Sequence, residues 1–235
     1  MRKINPQDVK AQFSAFVSER LAYFNRVETA LNGTPHEKRD ISVLAETTLH
    51  STYVAFECFV SDLIVAYINR DFSQYQRVLA TRISQSIDSK FGGWARSRTP
   101  FNAVKHIRID DLERMLDPEN YNLTFKSVEV LKQRCNEWIA APYKDGIMNL
   151  TEADSRFIDT VHSVRNFIAH QSKNSKALMN DNLMTVVTGP NCPNLGLGRG
   201  VRDVHDVGAF LKSAFSGSRR ITTYIRRLDN IAQTL

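Results

Sequence analysis

Residues 150–172, LTEADSRFIDTVHSVRNFIAHQS, carry the periodicity that decides the fold. Thr151 followed by Asp154 marks a helix start of the capping-box type, with the shorter acid in place of glutamate. Phe157, Val161, Val164 and Ile168 recur at spacings of four, three and four, which is one face of a helix. On a wheel of about 100° per residue, Val161, Val164 and Ile168 fall within about 40° of Phe157, forming an apolar stripe. Asp159, His162, Asn166 and His170 fall on the opposite side, and Arg165 lies on the border. One helix therefore offers a core-facing stripe and a polar stripe of two imidazoles, an amide and a carboxylate.

The same period extends outward in both directions. Asn5-Pro6 opens a helix over 6–31, closed by Asn32-Gly33-Thr34-Pro35. After a polar connector at 36–40, a long helix over 41–70 is apolar around most of its second half, as a central bundle helix would be. Further helices are expected at 74–90, 109–117, 123–141 and 203–232, the last weakened near Ser216-Gly217-Ser218. Residues 173–202, rich in Asn, Gly, Pro and Ser, read as a loop in which 183–188 could form a short strand. The expectation is an all-α up-down helical bundle with long loops. Residues 1–235 are taken as a single domain, with its core at about 6–172 and a C-terminal helix at about 203–232.

A 235-residue chain with 42% hydrophobic and 24% charged residues has ordinary globular composition. No unbroken apolar run reaches the roughly 18 residues that span a bilayer, and no secretory signal is visible, so a cytoplasmic protein without membrane contact is expected. Cys58, Cys135 and Cys192 are widely spaced and lack a CxxC pair, which excludes a disulfide scaffold and suits a reducing compartment. The net charge of +6 is unevenly placed. Residues 76–108 hold seven basic side chains against the single acid Asp88, and residues 199–235 hold seven against three acids. Two basic regions on a slightly acidic body fit a polyanionic partner such as RNA; solvated helix faces are the alternative. Arg96, Arg98 and Lys105 are the candidate substrate-binding cations. Phe91, Trp94 and Phe101 lie among them and could stack on bases, although packing against the protein is the commoner fate of aromatic side chains. Gly196-Leu197-Gly198-Arg199-Gly200 lacks the GK[ST] ending of a phosphate loop and reads as flexible.

The polar stripe has residue types suited to cutting RNA. RNA carries its own nucleophile, the 2′-hydroxyl beside the scissile phosphate. An enzyme must remove that proton, protonate the leaving 5′-oxygen and stabilise negative charge on phosphorus. Histidine titrates near neutral pH and serves as base or acid. Arginine presents a planar, permanently charged fork to phosphate oxygens. An amide can orient either partner. No metal or cofactor is required. Two chains meeting along this stripe would supply two histidines and two arginines.

Ser-Val-Arg-Asn-Phe-Ile-Ala-His, residues 163–170, resembles the signature of the HEPN superfamily: Arg, a polar residue, a few more residues, then His, on the last core helix of a bundle. Arg165, Asn166 and His170 match that pattern. Tyr53 to Val60 resembles the aromatic-and-glutamate pattern of HEPN helices. Val164 departs from it, since family members often have a basic residue there. The resemblance implies a HEPN-like bundle and a metal-independent endoribonuclease, acting as a homodimer with a composite site. It also implies a bacterial toxin–antitoxin or antiviral defence setting, with an antitoxin or other defence-system protein as a further partner. Arg165, Asn166 and His170 would be catalytic, with Glu57 and His162 supporting.

Structural roles stand beside each of these. His170 could favour the helix C-terminus electrostatically. Arg165 could form an ion pair with Glu57, and Glu57 could equally be a surface residue. His162 shares the face but not the motif. Some HEPN domains keep the fold without cutting RNA, so a catalytically inactive interaction or RNA-binding module is the alternative function.

Overall fold

The computed structural model describes residues 3–119, 123–185, 195–197, 201–215 and 217–235. About 75% of it is helical, with almost no strand, so the chain is all-α. In chain order the elements are α1 (Pro6–Leu31), α2 (Glu37–Arg70), α3 (Ser73–Arg98), α4 (Ile109–Leu116), α5 (Val128–Trp138), α6 (Asp145–Met148), α7 (Glu152–His170), α8 (Lys173–Thr185), α9 (Val207–Lys212), the two-residue strands β1 (Ala214–Phe215) and β2 (Ser218–Arg219), and α10 (Arg220–Thr234). Where the sequence reading takes 1–235 as one domain, the chain clusters into two units. Residues 10–59 with 150–235 form one, and residues 60–149 with the N-terminal residues to Val9 form the other.

The first unit holds the motif helix. Phe13 of α1 stacks on Phe59 of α2 at 4.9 Å between ring centroids and meets Phe56 edge-on at 5.7 Å. The apolar stripe of α10 (Ile221, Tyr224, Ile225, Leu228, Ile231) is fully buried, and Tyr224 packs edge-on against Phe157 of α7 at 5.3 Å. Polar contacts tie α10 to α1: Lys10 Nζ donates to the Gln233 carbonyl at 3.1 Å, and Ser14 hydrogen-bonds Asp229. α9 passes close to α2. A Cβ at Gly208 would sit 2.6 Å from the Ser42 Cβ and 2.8 Å from its carbonyl oxygen, so only glycine fits there. The Tyr224 hydroxyl donates to the Leu195 carbonyl, and the Leu197 amide donates to the Leu183 carbonyl at 3.2 Å.

Several boundaries differ from the sequence reading. Residues 173–185, expected as loop, are α8. The cause is local: Ser172 Oγ accepts the Ser175 amide as a cap, and Met179, Asn180 and Leu183 make a narrow buried stripe. Leu183–Thr185 is therefore helix and not strand, while 186–188 lie outside the described residues. Cys192 also lies outside them, as do parts of the glycine-rich 196–200 stretch. The expected helix over 203–232 is two helices joined by a tight hairpin, turning at Gly217 with φ +83°. α2 starts at Glu37 within the expected connector, its first turn carrying Glu37 and Asp40 where acids favour a helix N-terminus. α2 is also long and apolar enough, by length and composition, to cross a membrane; 67% of that stretch is buried, as in a core helix.

In the second unit Leu112, Leu131, Cys135, Ile139 and Ile147 are fully or almost fully buried, and Tyr75 meets Trp138 edge-on at 5.7 Å. Ser127 caps α5 by accepting the Val130 amide. Arg82 pairs with Glu137 at 2.5 Å, and Gln74 donates to the Glu137 carbonyl at 3.0 Å. α3 runs past its expected end, across a kink at Gly92 (φ +78°, ψ +170°), to Arg98. Tyr75 is its one buried residue. Phe91 is 72% exposed and Trp94 75%, so these rings do not have the packed fate that is commoner for aromatics.

Candidate functional site on α7

α7 begins at Thr151, whose hydroxyl accepts the Asp154 amide, and ends at Gln171 in the left-handed region (φ +48°). It is buried over a wider arc than the sequence stripe. Phe157, Val161 and Val164 are buried, but so are Ile158, Thr160 and Ser163, while Ile168 is only half-buried. The extra burial follows from packing against α8 and α10 as well as α2: Thr160 reaches the Asn182 carbonyl, and Phe157 meets Tyr224.

The polar stripe is held against α2 of the same chain. Arg165 Nη2 donates to Glu57 Oε2 at 2.9 Å, and its Nη1 donates to Asn166 Oδ1 at 2.8 Å. Asn166 Nδ2 lies 2.9 Å from His162 Nε2. The His162 ring stacks on Tyr53, with centroids 5.7 Å apart and planes 9° from parallel. Glu57, Arg165, Asn166, His162 and Tyr53 thus form one continuous chain of contacts. Arg165 Nε is buried and lacks a partner among the described residues.

This chain of contacts fixes protons. Arginine can only donate, so the oxygen of Asn166 faces Arg165 and the amide nitrogen faces His162. That nitrogen can only donate, so His162 Nε2 must accept. His162 is therefore a neutral imidazole carrying its proton on Nδ1.

Burial shifts the surrounding groups. The Glu57 carboxyl is pushed above the usual carboxylate range by burial, with the Arg165 charge pulling it back. Burial keeps the Tyr53 phenol protonated far above neutrality; the Glu57 and Asp159 carboxylates add to this and Arg165 opposes it. His50 is held below the ordinary histidine value by burial and by the Arg165 charge, so it is neutral at pH 7. His50, Tyr53 and Glu57 recur at three and four residues on α2, one stripe facing one stripe.

The candidate residues therefore separate. Arg165, Asn166, His162 and Glu57 are joined. His170, five residues beyond Arg165 in the last turn, is exposed, and its ring makes no hydrogen bond or ion pair among the described residues. His162 and Asn166 face α2 of the same chain and are half-buried, whereas the His170 end of the stripe is exposed. Arg96, Arg98 and Lys105 belong to the other unit. His50 and Tyr53 were missed as site residues; their spacing from Glu57 was the available signal.

Beyond the motif, Phe167, Ile168 and Gln171 line a pocket of about 370 Å³ with Glu46, His205, Asp206 and Val207. Three of its polar side chains are engaged. Glu46 accepts the Gly208 amide at 2.8 Å, Asp206 accepts the Ala209 amide at 2.8 Å, and His205 Nδ1 lies 2.9 Å from Lys176 Nζ. Compared with known proteins, the chain matches no family model, no curated protein and no solved structure.

Proposed function

We propose that this chain is a metal-independent endoribonuclease of the HEPN type, acting as a homodimer in a bacterial toxin–antitoxin or antiviral defence setting. The carrying observation is the state of Arg165: Glu57 and Asn166 fix its guanidinium on the same helix that ends in the exposed His170. A fixed, permanently charged fork is what a developing phosphorane needs, because no reorganisation is required as the charge forms. In the reaction an imidazole removes the 2′-hydroxyl proton and the oxygen attacks phosphorus. The bond to the 5′-oxygen breaks, and that oxygen takes a proton. The products are a 2′,3′-cyclic phosphate and a 5′-hydroxyl. His170 is one proton carrier. The other is His170 of a second copy or the neutral His50 beside Arg165 in the same chain. Arg96, Arg98 and Lys105 are the proposed RNA-holding cations.

The test is incubation of purified protein with total RNA in EDTA, mapping the ends. Cleavage leaving cyclic phosphates, lost in His170→Ala and Arg165→Ala variants of unchanged helicity, is expected. Strict dependence on a divalent cation overturns the reading. One observation favours a second reading, a catalytically inactive interaction or RNA-binding module: the Glu57 carboxylate already neutralises Arg165. That reading expects no cleavage and no growth arrest on expression.

A further inference from the structure

We infer that the outer part of α3 and the chain that follows it form a binding surface for single-stranded nucleic acid, one that binds a strand whether or not α7 can cut it. A helix of 26 residues with one buried side chain has no core-facing stripe, so its composition is not explained by packing. From Thr81 to Arg98 the side chains are mostly exposed, and they include Ile83, Phe91 and Trp94. The following residues 99–108 stay largely exposed and return toward the start of α3, where the Val104 amide donates to Gln76 Oε1 at 2.7 Å. That bond holds Val104 against the helix, and Phe101 (40% exposed) and Lys105 flank it in the chain.

The charges on this surface are only partly engaged. Arg82 is held by Glu137, Arg96 lies 3.8 Å from Asp88, and Arg108 lies 3.6 Å from Asp110. Lys90, Arg98 and Lys105 make no ion pair among the described residues. Arg98 instead lies over the Trp94 ring at 5.6 Å, covering one face of a side chain that remains 75% exposed. Exposed flat rings interleaved with unpaired cations match a strand that offers phosphates and unstacked bases together. A duplex offers the phosphates but keeps its base faces stacked. An apolar protein partner would not account for a net charge of +6 over residues 76–108. The kink at Gly92 separates Phe91 from Trp94 by a sharp turn, so the two rings stand on differently directed helical segments.

The test uses the full chain and a fluorescently labelled deoxy-oligonucleotide, which has no 2′-hydroxyl and so cannot be cut by the chemistry above. Anisotropy should show binding to the single strand at least tenfold tighter than to the matching duplex. Phe91→Ala with Trp94→Ala should weaken single-strand binding by roughly tenfold or more and leave duplex binding unchanged; both positions are exposed, so folding is not at stake. Lys90→Ala with Arg98→Ala and Lys105→Ala should flatten the salt dependence by about 2 in the log–log slope, near 0.7 per released phosphate contact. Trp94 emission should quench on binding, whereas the buried Trp138 should not respond. Equal affinity for strand and duplex, or an aromatic double variant that binds like the wild type, overturns the proposal. Loss of RNA cleavage alone, with deoxy-strand binding intact, overturns the nuclease reading and leaves this one standing.

Discussion

Asn166→Asp tests the proton assignment along the α7 chain of contacts. The substitution preserves size and leaves an oxygen to accept from Arg165 Nη1, now with charge assistance. It also replaces the donor facing His162 Nε2 with a second acceptor. Two acceptors cannot share one hydrogen bond, so His162 Nε2 must carry a proton in the variant. Long-range ¹H–¹⁵N correlation of histidine rings reads this directly, with His162→Gln assigning the signal. The wild-type ring should show a bare Nε2, and the variant a protonated one. Asn166→Ala removes both bonds, of 2.8 and 2.9 Å. The charged-donor bond contributes about 1.5–3 kcal/mol and the neutral one about 0.5–1.5 kcal/mol, and water replaces part of this at a half-buried site. A net loss of about 1–2 kcal/mol, or roughly 3–6 °C in Tm, is expected by thermal melting. A wild-type His162 protonated on Nε2 would refute the reasoning, because Asn166 could not then bridge arginine and histidine.

Other perturbations probe the neighbouring features. Glu57→Gln keeps an acceptor for Arg165 and removes a charge that burial disfavours. Because the folded-state pKa of Glu57 is raised, its protonated form favours folding below the unfolded value of about 4.3, and this contribution fades as pH climbs through the folded pKa. The stability of Glu57→Gln relative to wild type should therefore improve across that window in urea titrations. Glu57→Ala leaves Arg165 without its acceptor and should cost about 2–3 kcal/mol at neutral pH. Gly208→Ala drives a Cβ into the backbone of Ser42 and should destabilise by about 1–3 kcal/mol or more in the same titration. Gly92→Ala meets no neighbour, yet holds a non-glycine residue at φ +78°. It should cost about 1–3 kcal/mol locally, seen as faster hydrogen exchange over 93–98 with the rest of the chain unaltered.

Legibility followed how locally each feature is encoded. α1, α2 and α7 announce themselves through long stripes with punctuation at their ends, and their positions follow from residues within one turn of one another. α8 was hidden because its burial rests on Met179, Asn180 and Leu183 amid Ser, Asn and Lys, and its serine cap lacks the acidic partner that signals a helix start. The motif residues of α7 are visible as a pattern, and the Glu57–Arg165 ion pair that the structure shows is one of the two alternatives the sequence offers for Glu57. Tyr53 beneath His162 is not foreseen, because it is a pairing across about a hundred residues of chain that periodicity within one helix cannot supply. His50 shares a helical face with Glu57, but its environment comes from Arg165, which no local pattern supplies. The exposed Phe91 and Trp94 reversed the usual tendency of aromatic side chains, which composition alone cannot foresee.

The two bonds at Leu195 and Leu197 have an evolutionary corollary. The Tyr224 hydroxyl donates to the Leu195 carbonyl and the Leu197 amide donates to the Leu183 carbonyl, so Leu195 and Leu197 are held against α10 and α8. Leu183, Leu195 and Tyr224 are all buried, so natural variants should change least at these three positions, and loss of the Tyr224 hydroxyl should free Leu195 first.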